Sequence, residues 1–415
     1  MNEIETVKLE NGLTIYLYED KRKHTCIFDI ITKFGGMSKD YKIDNKVYHF
    51  QDGIAHILEH FLVECNKYGN FLDILGEKEM NTNASTSTKI TRYYFVTVNN
   101  IEFGIKTILK SIYSPVFTEE NLEKLKEPIY QEIRGKQTNK FYHEEIKVLD
   151  NCFHKLKYRT IGGTLEEVKN TTIEDLKLVY ETFYQPENQL VMIAGNFDKE
   201  SVINTIKEEM KNYTFKKHQV EQLKIKEPKT VVYKKGEILF PTQEDFTEVT
   251  YKIKLDNLDN ITRLKLDFYL YYFSKMTTSY SSPLYKKLIK EKIITGELLK
   301  TVTEVDDYLL FSIGAYTKKE QELVENILMT YQNPIFDEEI FNLEKKNNIL
   351  EIILRKENLS SMISPFIENV TLYDYPYPDT VEDIENFTLQ EMQEIITSLD
   401  FSNYTIVSIH SKKNN

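Results

Sequence analysis

Apolar and polar positions alternate along "TVKLENGLTIYLYED" on both sides of Asn11-Gly12, and period-two alternation across an Asn-Gly pair predicts strand, turn and strand. "HTCIFDIITKFGG" predicts another strand, ending at Gly35 and Gly36. "GIAHILEHFLVE", residues 53–64, is apolar at helical spacing and reads as a helix built for a core. The β-branched and aromatic run "NASTSTKITRYYFVTVN" predicts a strand pair. Helical patterns follow at 101–113, 118–135, 142–156 and 172–183, and the apolar strand "NQLVMIAGN" closes the unit at Gly195. Strands interleaved with helices predict an α+β unit, a mostly antiparallel sheet covered by helices.

The pattern then repeats. "TLEEVKNTTIEDLKLVY" from Thr164 lines up with "TVEDIENFTLQEMQEII" from Thr380, 216 positions later, and each is followed by an apolar strand. "PVFTEEN" at Pro115 matches "PIFDEEI" at Pro334, 219 positions later. Two near-equal offsets in the same order predict an internal duplication. The expected division is a first domain over 1–218, a polar, Lys-rich linker over 219–235 and a homologous second domain over 236–415.

Composition narrows the function classes. At 415 residues the chain exceeds one ordinary core, and its 41% hydrophobic content suffices for burial. A formal charge of -12 argues against binding nucleic acid through its backbone. No apolar stretch is long enough to span a bilayer, and the charged N-terminus has no apolar signal region. Cys26, Cys65 and Cys152 form no paired motif and read as reduced thiols, so a cytoplasmic location is expected.

Within the apolar helix 53–64 stand His56, Glu59 and His60. On a helix His56 and His60 project from one face, one turn apart, and Glu59 lies beside them. The residues alone leave open a metal site, a hydrogen-bonded core cluster and a solvated stripe. The duplication supplies a control, because the corresponding helix of the second half, near 261–274, has no histidine. The cluster is therefore not needed to fold the unit, which favours chemistry over packing. H-x-x-E-H is an inverzincin pattern: zinc suits imidazole, needs a third protein ligand, and acidifies water that a nearby carboxylate can deprotonate.

Three stretches, "GGMSKDYKIDNKVYHFQDGIAHILEHFLVE", "NTNASTSTKITRYYF" and "IGGTLEEVKNTTIEDLKLVYETFYQPENQLVMIAGN", resemble the M16 (pitrilysin or insulinase-like) metallopeptidases in the family's order. The closest likeness is to short two-domain bacterial members related to mitochondrial processing peptidase. The resemblance implies two homologous α+β domains, Zn2+ as cofactor, and cleavage of short unfolded peptides inside an enclosed chamber. It implies Glu59 as the catalytic base and His56, His60 and Glu132 as metal ligands, Glu132 lying in "EPIYQEIRGK" with 71 residues between it and His60. It also implies that Asn83, Ala84, Ser85 and Thr86 belong to the edge strand that receives substrate main chain. The family's supporting glutamate seven residues before the third ligand is Leu125 here, leaving Glu123 or Glu127 as candidates for its role, and Pro128 removes one backbone bond of that helix. The arginine and tyrosine with which many members grip substrate are missing from "SSPLYKKLIKEKIITGELL", where Lys290, Gly296 and Glu297 stand. The implied partner is a related subunit that carries the pair, this chain being the zinc subunit of a heterodimer. The alternative is a non-catalytic assembly subunit, a class that typically loses the metal motif present here.

Overall fold

A computed structural model describes residues 4–37, 39–156, 160–255, 258–376 and 379–412. In the first half the strands are β1 (Glu5–Lys8), β2 (Thr14–Glu19), β3 (Cys26–Thr32), β4 (Asp40–Ile43), β5 (Lys46–His49), β6 (Asn81–Thr86), β7 (Thr91–Thr97), β8 (Gln189–Gly195) and β9 (Val220–Gln222). The second half contributes β10 (Lys235–Phe240), β11 (Phe246–Lys254), β12 (Leu299–Val305), β13 (Tyr308–Tyr316) and β14 (Tyr404–Ser411).

The duplication is visible in the sheets. The first is ordered β1-β2-β8-β3-β7-β6 and the second β10-β14-β11-β13-β12. Leaving out β1, the two orders correspond strand for strand: one parallel pair, β2–β8 and β10–β14, begins each, and the remaining neighbours are antiparallel. The repeated segments also carry the same caps. Thr164 and Thr380, at N-termini that correspond in the two halves, each form a capping box, with Glu167 and Asp383 as the returning carboxylates. Thr118 and Asp337 cap the two long helices Glu119–Gln137 and Glu338–Arg355 in the same way, by accepting a backbone N–H three residues on. The first of these helices runs unbroken through Pro128.

Each sheet buries one face under its own helices, giving one core around Phe28, Ile57, Leu58, Phe61 and Ile193 and another around Tyr251, Tyr269, Phe273 and Phe311. The other faces are covered by exchange. Helix Lys140–Cys152 of the first half sends Val148, Leu149 and Cys152 against Leu310 and Val407 of the second sheet. Helix Leu359–Tyr373 of the second half sends Ile363, Phe366 and Ile367 against Tyr16, Ile31 and Met192 of the first. Each sheet is thereby buried on both sides, and the halves are locked together by apolar packing rather than merely tethered.

The polar stretch between the halves is also tied down. β9 pairs with β4. Further on, Glu227 accepts the backbone N–H groups of His154, Lys155 and Leu156 and takes the Lys252 ammonium at 2.9 Å, with both side chains out of contact with solvent. Lys252 also donates to the carbonyls of Cys152, Pro228 and Thr230, so the buried charge is fully bonded.

Candidate metal centre

The helix Ile54–Glu64 starts at Gly53, whose φ of +83° is a left-handed conformation that glycine adopts without strain. A Cβ there would lie 2.5 Å from the carbonyl oxygen of Gly162, so only glycine lets the Gly162–Gly163 loop rest on this helix end, beside His56. The rest of the helix is driven inward by Ile57, Leu58, Phe61 and Leu62, all fully buried. That packing fixes the rotation of the helix and carries His56 and Glu59 into the interior with it, at 8% and 7% exposure.

Three donors converge. The Nε2 atoms of His56 and His60 stand 3.2 Å apart, and Oε2 of Glu132, on helix Glu119–Gln137, lies 3.4 Å from the first and 3.7 Å from the second. Ligand atoms about 2.0–2.1 Å from a tetrahedral ion are separated by about 3.3–3.4 Å, so this triangle has the size a zinc ion requires. Among the described residues these three form the cluster of histidine and carboxylate donors able to hold a metal. Two imidazoles and one carboxylate are donors that suit zinc, and three are one fewer than a closed structural site uses.

Electrostatics favour a ligand set. Burial, with His60 beside it, holds His56 neutral, its pKa lowered to about 4. Burial lowers the His60 imidazole as well, but the nearby carboxylates of Glu132 and Glu59 outweigh it and raise the pKa. The neighbouring His60, aided by Lys136, brings Glu132 down to about 2, so it is a carboxylate. The Lys136 ammonium takes Oε1 at 2.9 Å and leaves Oε2 directed at the histidines. Burial pushes the Glu59 carboxyl above the usual range, against the opposing pull of a 2.5 Å bond from the Thr86 hydroxyl to its Oε2.

Neither candidate for the supporting glutamate takes that role. Exposed Glu123 pairs with the buried Lys126, and exposed Glu127 bonds Gln131 and Arg134 on the solvent side of the helix, while Leu125 is buried in the core. The helical phase is the reason: positions 123 and 127 face away from position 132. The cation at Lys136, one turn beyond the ligand, was not singled out in the sequence, although its spacing of four from Glu132 was a signal.

β6 is the outer strand of its sheet, with β7 on one side only. Oδ1 of Asn83 accepts the Ala84 N–H at 2.9 Å, and the Ser87 N–H reaches Ile90 across the turn. This parity turns the main-chain groups of Asn83 and Ser85 toward β7 and those of Ala84 and Thr86 to the open edge. Just past Thr86, the turn residues Thr88 and Lys89 border a cavity of about 600 Å³ whose other wall belongs to the second half, including Asp267, Tyr271 and Lys300. In the second half Lys290 ends a short helix, and Gly296 and Glu297 lie exposed in the turn that follows.

This fold, two duplicated α+β units, is that of the two-domain M16-like peptidases. The family profile described as the peptidase M16 inactive domain matches residues 170–348, a stretch that begins beyond His56, Glu59, His60 and Glu132. An uncharacterized zinc protease of Bacillus subtilis, YmfH, is 28% identical over 94% of this chain and 92% of its own length. The zinc protease PqqE of Helicobacter pylori is 25% identical over 50% of this chain and 47% of its own. An M16-like peptidase from Alicyclobacillus acidocaldarius superposes with a TM-score of 0.89 at 23% identity, covering 99% of this chain and 98% of that one. No helix among the described residues is long and apolar enough to cross a membrane.

Proposed function

We propose that the chain is a zinc-dependent endopeptidase acting on extended, unfolded peptides, with residues 1–218 as the catalytic unit and 236–415 as a homologous unit without metal. The observation that carries this reading is the triangle of His56, His60 and Glu132 with the buried carboxyl of Glu59 alongside. Zinc, when bound, supplies Lewis acidity that acidifies water and polarises a carbonyl. The three donors would hold that ion, and the Lys136 ammonium on Oε1 leaves Oε2 of Glu132 turned toward the histidines. A substrate strand adds to the open edge of β6, bonding the main chain of Ala84 and Thr86 and displacing the Asn83 side chain from the Ala84 N–H. Because the bonds go to main chain, many sequences fit and folded domains do not. Thr86 holds Oε2 of Glu59, so Oε1 does the proton work: it takes a proton from water and returns it to the leaving amine.

The substrate also has to be gripped near the scissile bond. Lys290, Gly296 and Glu297 offer no bidentate donor there, and a lysine is no substitute for an arginine fork. The proposal therefore includes a related partner subunit that supplies an arginine and a tyrosine, with this chain as the metal-bearing half of a heterodimer. The description of the matching profile as an inactive domain favours a second reading, a non-catalytic assembly subunit. Glu59→Gln separates the two. On the peptidase reading the variant keeps wild-type zinc and loses peptide hydrolysis in the presence of the partner. Wild-type protein with full zinc that cleaves no unfolded peptide, alone or with the partner, leaves only the assembly role.

A further inference from the structure

The cavity between the halves carries positive charge that folding does not require. Lys300, on β12, lines it together with Ser274, Tyr271 and Val302. Its ammonium donates to the Ser274 hydroxyl, which donates in turn to the Tyr271 carbonyl, so two of the three lysine N–H groups are left over. Lys275 brings a second cation to the same place: the two ammoniums stand over the Tyr271 ring, 5.0 Å from its centre for Lys300 and 5.2 Å for Lys275. Among the described residues neither ammonium has a carboxylate within 4 Å. Burial and the neighbouring Lys275 lower the Lys300 pKa to about 8, with only the charge of Glu344 opposing them. Placing like charges side by side in a half-buried wall is costly. β12 is the outer strand of the second sheet, as β6 is of the first, and β6 folds with no charged side chain. The carboxylates of the cavity are engaged elsewhere. Glu304 pairs with Lys89 and Arg263, and Asp379 with Arg355. Asp267 accepts the Tyr373 hydroxyl and stands beside Glu304 and Glu368.

We infer that Lys300 receives a carboxylate of the bound peptide, with Lys275 as a second positive charge beside it. Such capture rests on the proposed addition of substrate to β6. A strand on that edge runs past Thr86 to Thr88 and Lys89, which border this cavity, so its continuation enters the space that Lys300 lines. An ammonium is a point charge that takes a carboxylate in many orientations, so a C-terminal chain end and an Asp or Glu side chain both fit. The two halves then read different features of one peptide. The edge of β6 holds main chain, and Lys300 favours acidic sequences or free carboxyl ends.

Fluorescence anisotropy tests this with the full chain carrying Glu59→Gln, which holds peptide without cutting it. The probe is an unfolded peptide of uncharged residues, labelled at its N-terminus, in three forms: amidated at the C-terminus, ending in a free carboxylate, and amidated with one internal Glu. At least one carboxylate form should bind about 10-fold more tightly than the neutral form, the gain expected of a charge-assisted hydrogen bond. The form that gains identifies the source, chain end or side chain. Lys300→Met keeps the apolar stem and removes the charge, so it should abolish the gain and leave circular dichroism and the affinity of the neutral form unchanged. Lys106→Met, at an exposed lysine of the first half, should leave the gain intact. Equal affinity for all three forms, or a gain that survives Lys300→Met, overturns the inference while strand addition at β6 stands. If no form binds, strand addition fails and the capture by Lys300 fails with it.

Discussion

In the first half, helix Ile54–Glu64 turns His56 and His60 toward Glu132; in the second, helix Asn260–Thr278 turns Tyr272 toward Glu344 and Glu351 of the corresponding long helix. Both helices bury an apolar face in the core of their own half. Even the ion pair beside the third donor is repeated: Glu132 with Lys136 in one, Glu351 with Arg355 in the other. What differs is the space between the helices. Tyr272 is fully buried there, edge-on to Phe341 at 5.6 Å, where the first half presents two imidazoles to its glutamate. The glutamate and its cation are thus part of the shared scaffold, and the histidines with Glu59 are what the first half adds to it.

The largest effect that this comparison predicts falls on zinc. His56→Ala and His60→Ala together should reduce zinc from about one per chain to background by elemental analysis, because one carboxylate cannot hold the ion alone. Full zinc in that double variant would sink the assignment. Thr86→Val should act next most strongly. It removes the hydroxyl that holds Oε2 of Glu59, and loss of a hydrogen bond to a charged group corresponds to about a 10- to 100-fold fall in kcat with KM and zinc content unchanged. A variant with unaltered kcat would show that Glu59 needs no such orientation.

A third prediction concerns the seam where the halves exchange helices. Glu144, on helix Lys140–Cys152, is buried against Glu248 of β11, and burial together with that neighbouring carboxyl raises its pKa well above the usual range. The raised value means that the folded state holds a proton the unfolded chain releases near pH 4.5. Stability from this group is therefore complete below that pH and declines as pH rises, by up to about 1.4 kcal/mol per pH unit. Glu144→Gln should raise the thermal midpoint at pH 8 and leave it nearly unchanged at pH 4.5. Equal shifts at both pH values would rule out a protonated Glu144. The smallest expected effect is that of Tyr272→Phe. Its hydroxyl is buried without a hydrogen-bond partner, so removing it should leave zinc and activity intact and stabilise the protein by about 1 kcal/mol.

Much of this was legible in the chain itself. Period-two alternation located β2, a β-branched and aromatic run located β6 and β7, and two near-equal offsets between similar segments revealed the duplication. The H-x-x-E-H spacing was enough to put His56, Glu59 and His60 in one place, because a single helix fixes their geometry. Other features depend on which surfaces meet. The amphipathic pattern of Lys140–Cys152 shows that one face must be buried, but not that the second sheet buries it. Glu227 sits in a Lys-rich run that reads as solvated, and only the approach of Lys252 makes it an interior residue. Glu123 and Glu127 had plausible spacing for supporting the metal, yet the phase of their helix points them at solvent.

The claim that one scaffold carries a metal centre in its first copy alone is tested most directly by zinc titration of Glu132→Gln against Glu351→Gln, in competition with a chromophoric chelator. The account predicts that Glu132→Gln weakens zinc binding by at least about 10- to 100-fold, while Glu351→Gln binds one zinc with wild-type affinity. Equal loss in both variants, or none in Glu132→Gln, would contradict it.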